Sequence, residues 1–183
     1  MRRTVAALAC LCALTLPAVA GTLVGVTLPD TVAVGGKTLV LNGMGIRTRV
    51  FFKIYVGGLY LEAKSRDAAA IVRSDAAKRV VMHFLYGEVT RDRMVETFTD
   101  GFRNNAPGAP RADVDRFIAA IEGMKKGDQM VVTYQPGTGT TLTVRGQDKL
   151  TIPGLPFAQA VFSVWLGPKP PTADLRKGML GGE

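Results

Sequence analysis

Three side chains that could hold an anion, those of Arg47, Lys53 and Tyr55, occur in or just ahead of an apolar stretch. The stretch is LNGMGIRTRVFFKIYVGGLYLE, residues 41–62, and its second half is apolar at almost every position, as in a strand covered on both faces. Burying a charge there is unfavourable unless a partner neutralises it. A guanidinium, an ammonium and a phenol over an apolar surface suit a ligand with an anionic head and an apolar body, such as a fatty acid or a phenolic anion.

The alternation of side chains along a strand relates these three groups to one another. Lys53 and Tyr55 are expected on one face, with Gly57 leaving space beside them, and Arg47 joins them if the alternation holds back to residue 47. In the alternative interpretation, Lys53 extends to solvent and Arg47 pairs with a surface carboxylate. The residue types alone leave both interpretations open.

Other catalytic or cofactor-binding motifs are absent from the sequence. His83 is the only histidine and lies in VVMHFLY, a predicted strand, where a structural role is the more common one. A Ser-His-Asp triad would require it, and no G-x-S-x-G motif accompanies it. The glycines at residues 43–45 and 57–58 do not open a helix and lack the Lys-Ser/Thr step of a phosphate-binding loop. We therefore predict no metal and no cofactor.

A row of carboxylates at a spacing of four residues, Glu88, Asp92, Glu96 and Asp100, is expected along one side of a helix. Carboxylates in such a row could ligate a metal ion. The arginines interleaved with them favour a solvated charged face instead.

The N-terminal residues 1–20 have the pattern of a secretory signal: two arginines, an apolar run and then the small residues AVA. A membrane anchor is the alternative, but the apolar run is short of the roughly 20 residues that a bilayer span requires. Cleavage near Ala20 would remove Cys10 and Cys12 and leave residues 21–183 as a single domain. The expected location is periplasmic or secreted.

The formal net charge of +8 could favour an acidic partner. Nucleic acid is not predicted, because the basic residues are scattered and an exported protein meets little of it. No segment after the signal is long and apolar enough to be a transmembrane segment, and the oligomeric state is left open.

The predicted elements indicate an α+β protein with a largely antiparallel sheet, because strands come in runs with helices grouped between and after them. A Gly35-Gly36 turn predicts a hairpin, and residues 49–62 read as one long strand. Thr90 is a candidate N-cap for a helix. The apolar stripe of that helix is Met94, Val95, Phe98 and Phe102.

Two blocks of the sequence resemble the chalcone isomerase superfamily. GMGIRTRVFFKIYVGGLYLE is similar to the family pattern G-x-G-x-R followed by F-x-K-x-x-x-x-G-x-Y-L, and QAVFSVWLGPKPPTADLRKGMLG is similar to its C-terminal helices. The resemblance implies an open-faced β-sandwich of chalcone isomerase type, in which a long antiparallel sheet carries helices packed on one face and a ligand cleft lies between. It is closest to the bacterial exported members.

The resemblance also implies roles for individual residues. Arg47 matches the cleft arginine that positions and polarises the ligand's anionic oxygen. Tyr55 falls where the plant enzymes have a threonine, Thr90 near their cleft tyrosine, Thr97 near their cleft asparagine and Val164 near a specificity threonine. Most polar members of the catalytic cleft are therefore changed.

Three functions remain as hypotheses. The leading one is a non-catalytic binder of a fatty acid or similar amphipathic carboxylate, anchored by Arg47 and assisted by Tyr55 and Lys53. The alternative is an isomerase, an intramolecular lyase of the type that closes a chalcone into a flavanone, which would use Arg47 to polarise its substrate. The third is an interaction or envelope-maintenance protein whose cleft is vestigial, which predicts a closed cleft filled by Phe51, Phe52 and Trp165.

Overall fold

Residues 20–182 are described by the structure, a computed structural model, and form eleven strands and five helices. The strands are β1 (Ala20–Leu23), β2 (Val26–Pro29), β3 (Thr31–Val34), β4 (Lys37–Arg49), β5 (Phe52–Leu61), β6 (Lys78–Phe84), β7 (Glu88–Val89), β8 (Met124–Lys125), β9 (Gln129–Gln135), β10 (Gly139–Val144) and β11 (Gln147–Ile152). The helices are α1 (Ala68–Arg73), α2 (Arg91–Asn105), α3 (Arg111–Ala119), α4 (Leu155–Leu166) and α5 (Ala173–Met179).

Seven of the strands form one antiparallel sheet in the order β11-β10-β9-β6-β5-β4-β3. The helices pack on one side of this curled sheet and enclose the larger core. The predicted α+β class, with a long antiparallel sheet carrying helices on one face, is confirmed.

Helix α4 fills the centre of the larger core. It is apolar almost all round because it lies between the sheet and the other helices, and Phe157, Phe162 and Trp165 are fully buried. The Trp165 ring meets Phe98 of α2 edge to face, with 5.7 Å between ring centroids. This contact fixes α2 above the sheet.

A smaller core covers part of the opposite face of the sheet. The β1–β2 hairpin places Val26 and Leu28 against Val56 and Tyr60 of β5. The Tyr60 hydroxyl donates a hydrogen bond to the carbonyl oxygen of Pro29 (2.8 Å), so the polar tip of this buried side chain is satisfied.

Helix α5 lies directly against β4 because glycines allow the two backbones to approach. A Cβ atom on Gly43 would overlap the carbonyl oxygen of Gly178, and one on Gly45 would overlap that of Leu175. Gly57 leaves room for the Leu175 side chain. The glycines of the predicted strand region therefore serve close packing.

The hairpin that joins β4 to β5 differs from the prediction of one strand over residues 49–62. β4 runs to Arg49, the chain reverses at Val50 and Phe51, and β5 begins at Phe52. Neither turn residue is a glycine, asparagine or aspartate, so the usual turn signal is missing.

Two local predictions are confirmed. Gly35 and Gly36 form the two-residue turn between β3 and β4, both with positive φ. Thr90 is the N-cap of α2, and its Oγ1 accepts a hydrogen bond from the backbone N–H of Arg93.

The predicted secretory signal and both cysteines lie outside the described residues, apart from Ala20, at which β1 begins. Over the described range, no helix has the length and apolar character needed to cross a bilayer.

Candidate ligand-binding site

Arg47 and Tyr55 face each other across the β4–β5 hairpin. They are direct partners in the strand register, and the Arg47 guanidinium carbon lies 5.8 Å from the centroid of the Tyr55 ring. Tyr55 is only 1% exposed, and its hydroxyl accepts a hydrogen bond from Trp165 Nε1 (3.2 Å). Burial raises the pKa of Tyr55, although the positive charge of Arg47 opposes this effect. The phenol is therefore neutral at physiological pH and does not neutralise Arg47.

The Arg47 guanidinium has few partners of its own. It is half-buried, and Nη1 and Nη2 both donate to the Thr97 hydroxyl oxygen over long distances, 3.5 and 3.4 Å. The Thr97 hydroxyl donates in turn to the Arg93 carbonyl oxygen (2.8 Å), so its lone pairs are directed at Arg47. Within residues 20–182, Arg47 forms no ion pair with an Asp or Glu. Its charge and most of its donors remain available.

Two pockets meet at this guanidinium and share Arg47, Arg49 and Thr97 in their linings. We call the larger one, about 400 Å³, the apolar pocket. Its apolar walls are Val50, Phe52, Ile54, Tyr86 and Val89. Its volume lies within the range of small-molecule sites, which runs from about 300 to 1,000 Å³.

The smaller pocket, about 220 Å³, we call the polar pocket. Polar and charged side chains dominate its lining: Glu96, Asp100, Asn104 and Lys169. Because two carboxylates lie in it, an anion at Arg47 is less favoured on this side than on the side of the apolar pocket, where Glu88 is the carboxylate in the lining.

A β-bulge at Ile54 shapes the apolar pocket. The register passes from Arg47–Tyr55 to Thr48–Lys53 and leaves Ile54 unpaired with β4. The Ile54 carbonyl oxygen instead accepts from the backbone N–H groups of Leu85 and Tyr86. The bulge breaks the alternation on which the grouping of Lys53 with Tyr55 depended. Lys53 is exposed and lines neither pocket, so the structure does not bring it together with Arg47.

A family model described as chalcone isomerase-like matches residues 20–181. The chain belongs to the chalcone isomerase-like family. A solved structure with the same fold is that of a fatty-acid binding protein of Arabidopsis thaliana, with a TM-score of 0.68 at 12% sequence identity. The superposition covers 85% of this chain and 92% of the Arabidopsis chain. No curated protein sequence matches the chain.

The positions that the family resemblance assigned to the cleft do lie around the two pockets. Thr90 lines the apolar pocket, Thr97 lines both, and Val164 lines the polar pocket. Tyr55 lies beneath Arg47. The Thr97 hydroxyl donates to the Arg93 carbonyl oxygen, so its proton is engaged. Thr90 Oγ1 accepts from the backbone N–H of Arg93 as the helix cap, which leaves its position fixed but does not use its proton.

Phe51, Phe52 and Trp165 do not close the cleft, as the third hypothesis predicted they would. Phe51 is 92% exposed and Phe52 is 57% exposed, so neither ring fills the interior. Trp165 is buried, but in the core beside Tyr55. Both pockets remain open at Arg47.

Of the other candidate residues, His83 lies away from this site, whereas Glu88 lines the apolar pocket and Glu96 and Asp100 line the polar pocket. His83 is half-buried on β6 and lines neither pocket, and its Nδ1 is within hydrogen-bond distance of Gln129 Nε2 (3.3 Å). Of the acidic row, Glu88 belongs to β7 and not to α2, while Glu96 and Asp100 pair with arginines on the exposed side of α2. In the part of the chain that the structure describes, no cluster of metal-ligating side chains occurs.

Several lining residues were missed by sequence reasoning. Arg49, Tyr86, Val89 and Arg93 come to the apolar pocket from β4, the segment after β6, β7 and α2. Only Arg49 carried a sequence signal, because it lies two residues after Arg47 on one strand. Tyr86, Val89 and Arg93 reach the apolar pocket only because distant parts of the chain pack together, and residue spacing does not encode such packing.

Proposed function

We propose that this protein binds a fatty acid or a similar amphipathic carboxylate without changing it chemically. In this proposal the carboxylate lies against the Arg47 guanidinium and the hydrocarbon chain lies in the apolar pocket. The observation that carries the proposal is the half-buried Arg47, which has no carboxylate partner among the described residues and lies at the edge of an apolar pocket.

The geometry around Arg47 supports an anionic head at this point. The Thr97 hydroxyl and the Tyr55 ring hold the guanidinium from two sides without neutralising it. A carboxylate can accept two parallel N–H bonds from a guanidinium, and such charge-assisted bonds are stronger in a partly desolvated site. Arg49 and Arg93, which also line the apolar pocket, add positive potential near the head.

The fold comparison supports the same ligand class, since the Arabidopsis protein with this fold is a fatty-acid binding protein. Lys53, which the sequence suggested as a second anchor, has no part in the proposed head site because it is exposed and lines neither pocket. Arg47 is the anchor, Thr97 and Tyr55 position it, and Thr90 lies in the pocket wall.

Lipid extraction tests the proposal. The protein purified from cells is expected to release bound fatty acid, identified by mass spectrometry, and Arg47→Ala is expected to release at least about tenfold less. Arg79→Ala is the matched control, because Arg79 is also half-buried, lies on the same sheet and contacts a threonine hydroxyl (Thr133 Oγ1, 2.8 Å), but lines neither pocket. Absence of lipid from the unmodified protein, or equal retention by both variants, would contradict the proposal.

A titration with matched ligands sharpens this test. The protein is expected to bind dodecanoate about tenfold or more tightly than methyl dodecanoate, because the ester lacks the charge that Arg47 recognises. In Arg47→Ala the two ligands should bind equally weakly. A preference for the acid that survives in Arg47→Ala would place the anchor elsewhere.

The isomerase alternative uses the same guanidinium and is separated by an activity assay. A hydroxychalcone added to the protein would be consumed well above its spontaneous rate if Arg47 polarises its ketone. We expect only the spontaneous rate, with and without Arg47, because the Thr97 hydroxyl proton is engaged by the Arg93 carbonyl oxygen and the Tyr55 hydroxyl is buried in the core.

We also propose that the protein is exported to the periplasm or secreted, with residues 1–20 removed. The N-terminal pattern supports this proposal. The intact mass of the protein recovered from cell fractions is the check: the exported fraction should begin near Gly21, and a full-length cytoplasmic product would contradict it.

A further inference from the structure

The tip of the β4–β5 hairpin exposes a concentrated apolar surface. Val50 is 77% exposed, Phe51 is 92% exposed and Phe52 is 57% exposed. Tyr86, itself 38% exposed, meets the Phe52 ring edge to face at 5.4 Å between centroids. Of the five large apolar side chains exposed within residues 20–182, these are four, so the exposure is concentrated at one edge.

The demands of the turn itself do not explain these residues. Val50 and Phe51 are the two central residues of a tight hairpin, a position that favours glycine, asparagine or aspartate. Val50 has φ of 56°, a conformation unfavourable for a β-branched side chain. The hairpin thus keeps a β-branched side chain at Val50, where the backbone would favour glycine, and an exposed aromatic ring beside it at Phe51, which indicates that these side chains have a use of their own.

Positive charges flank the apolar tip. Arg49 precedes it and Lys53 follows it, and both are exposed. Arg93, also exposed, lies nearby in the lining of the apolar pocket. An apolar tip flanked on both sides by exposed cations matches a membrane surface, whose anionic headgroups lie above an apolar interior.

We propose that the hairpin tip, residues 49–53 together with Tyr86, inserts into the surface of a membrane that contains anionic phospholipid. The apolar rings enter the headgroup–acyl boundary, and Arg49 and Lys53 contact the lipid phosphates. Val50, Phe52 and Tyr86 also line the apolar pocket, so insertion brings the mouth of that pocket to the bilayer. The docking surface goes beyond the proposed ligand and does not depend on the pocket being occupied.

Vesicle flotation tests the docking surface with the purified protein. Vesicles of phosphatidylcholine with roughly one third phosphatidylglycerol should carry the protein upward, and vesicles of phosphatidylcholine alone should carry much less. Phe51→Ser should lower the partition coefficient about tenfold, because it removes the most exposed ring. Phe51 and Lys53 line neither pocket, so Lys53→Glu can test the charge in the same way, with the preference for anionic vesicles reduced about threefold or more.

Val24→Ser is the matched control. Val24 also lies in a hairpin turn with positive φ and is 42% exposed, but that turn joins β1 to β2. Flotation of this variant should stay within about twofold of that of the unmodified protein. Equal loss in Val24→Ser and Phe51→Ser would show non-specific adsorption and overturn the proposal, as would absence of flotation by the unmodified protein.

Two further measurements distinguish membrane docking from self-association of the chain and from ligand binding in the apolar pocket. Sedimentation analysis would reveal a second copy of the chain as the true occupant, if Phe51→Ser converted a dimer to a monomer while vesicles did not bind. Dodecanoate titration in solution should be unchanged in Phe51→Ser, so loss of docking with retained ligand binding isolates the tip. If dodecanoate bound neither to the unmodified protein nor to any variant, the proposed function would be refuted, and the flotation result would still stand.

Discussion

Lys78 and Arg47 are two cationic side chains that extend from the same sheet toward the helices, and they differ in what surrounds them. Lys78 is 1% exposed. Its Nζ donates to the carbonyl oxygens of Ile71 (2.9 Å) and Ser74 (2.6 Å) at the end of α1, and lies 5.3 Å from the centroid of the Tyr134 ring. Helix carbonyls at a C-terminus favour a cation, so this ammonium is satisfied by the protein itself.

Arg47 lacks such a set of acceptors. Its contacts are one shared hydroxyl at long distance and one aromatic ring, and it lines two open pockets. The difference indicates how to distinguish the two roles. A cation whose donors meet oxygens of the protein itself stabilises the fold, whereas one with unused donors beside an apolar pocket is available to a ligand.

Replacing each cation by alanine should produce opposite results. Lys78→Ala removes the stem that fills the space against Tyr134 and leaves the Ser74 carbonyl without its donor, so the free energy of unfolding should fall by about 2–4 kcal/mol. Arg47→Ala should lower it by less than about 1 kcal/mol, since the guanidinium is half-buried and weakly bonded. Urea unfolding followed by Trp165 fluorescence measures both.

The dodecanoate titration compares the ligand affinity of the same two variants, Lys78→Ala and Arg47→Ala. Lys78→Ala should retain ligand affinity under conditions where it is folded, because Lys78 lines neither pocket. If Arg47→Ala were the more destabilising of the two, Arg47 would be a structural cation and the proposed head site would be wrong.

The pH dependence of stability provides the next largest contrast. Burial lowers the pKa of Lys78 from 10.5 to about 8 in the folded protein, against the opposing charge of Asp75. Between about pH 8 and 10 the unfolded chain therefore binds more protons at this residue than the folded protein does. Stability should rise with pH in this window by about 1–2 kcal/mol, less than the whole shift implies because the Ile71 and Ser74 carbonyl oxygens favour the charged form.

The Lys78→Met variant tests this assignment, because it keeps the apolar stem and removes the titration. The rise between about pH 8 and 10 should vanish in Lys78→Met and persist in Arg47→Ala. At higher pH both variants should lose stability, since burial raises the pKa of Tyr60 to about 12, and burial with the Asp75 hydrogen bond does the same for Tyr134. Folded tyrosines then keep protons that the unfolded chain loses. A rise that persists in Lys78→Met would point to another group.

The sequence predicted the fold better than it predicted the site. The Thr90 helix cap, the Gly35-Gly36 turn and the apolar stripe of α2 are local signals, and they were confirmed. The Val50-Phe51 turn and the bulge at Ile54 carry no local signal, since apolar residues occupy both. Lys53, which was expected on the same face of the strand as Tyr55, is therefore exposed.

Lys78, the lysine that does face the larger core, could have been found by applying the same alternation rule to β6. Lys78 shares its parity with Val80, Met82 and Phe84, all of which are buried in the larger core. Arg47 and Tyr55 do come together, but through pairing across a hairpin and not along one strand. The pocket walls depend on β7 and α2, which meet the hairpin only in the folded chain.

The smallest expected effect concerns the hydroxyl that orients Arg47. Thr97→Val removes the acceptor for Nη1 and Nη2 while keeping the shape of the side chain, so the guanidinium loses its fixed direction. Dodecanoate affinity should fall about threefold to tenfold, and the free energy of unfolding should change by less than about 1 kcal/mol, because α2 keeps its buried stripe. Thr97→Ser keeps the hydroxyl and should bind within about twofold of the unmodified protein. Equal loss in the serine variant would mean that the methyl group, not the hydroxyl, supports the site, and Arg47 would then owe its position to Tyr55 alone.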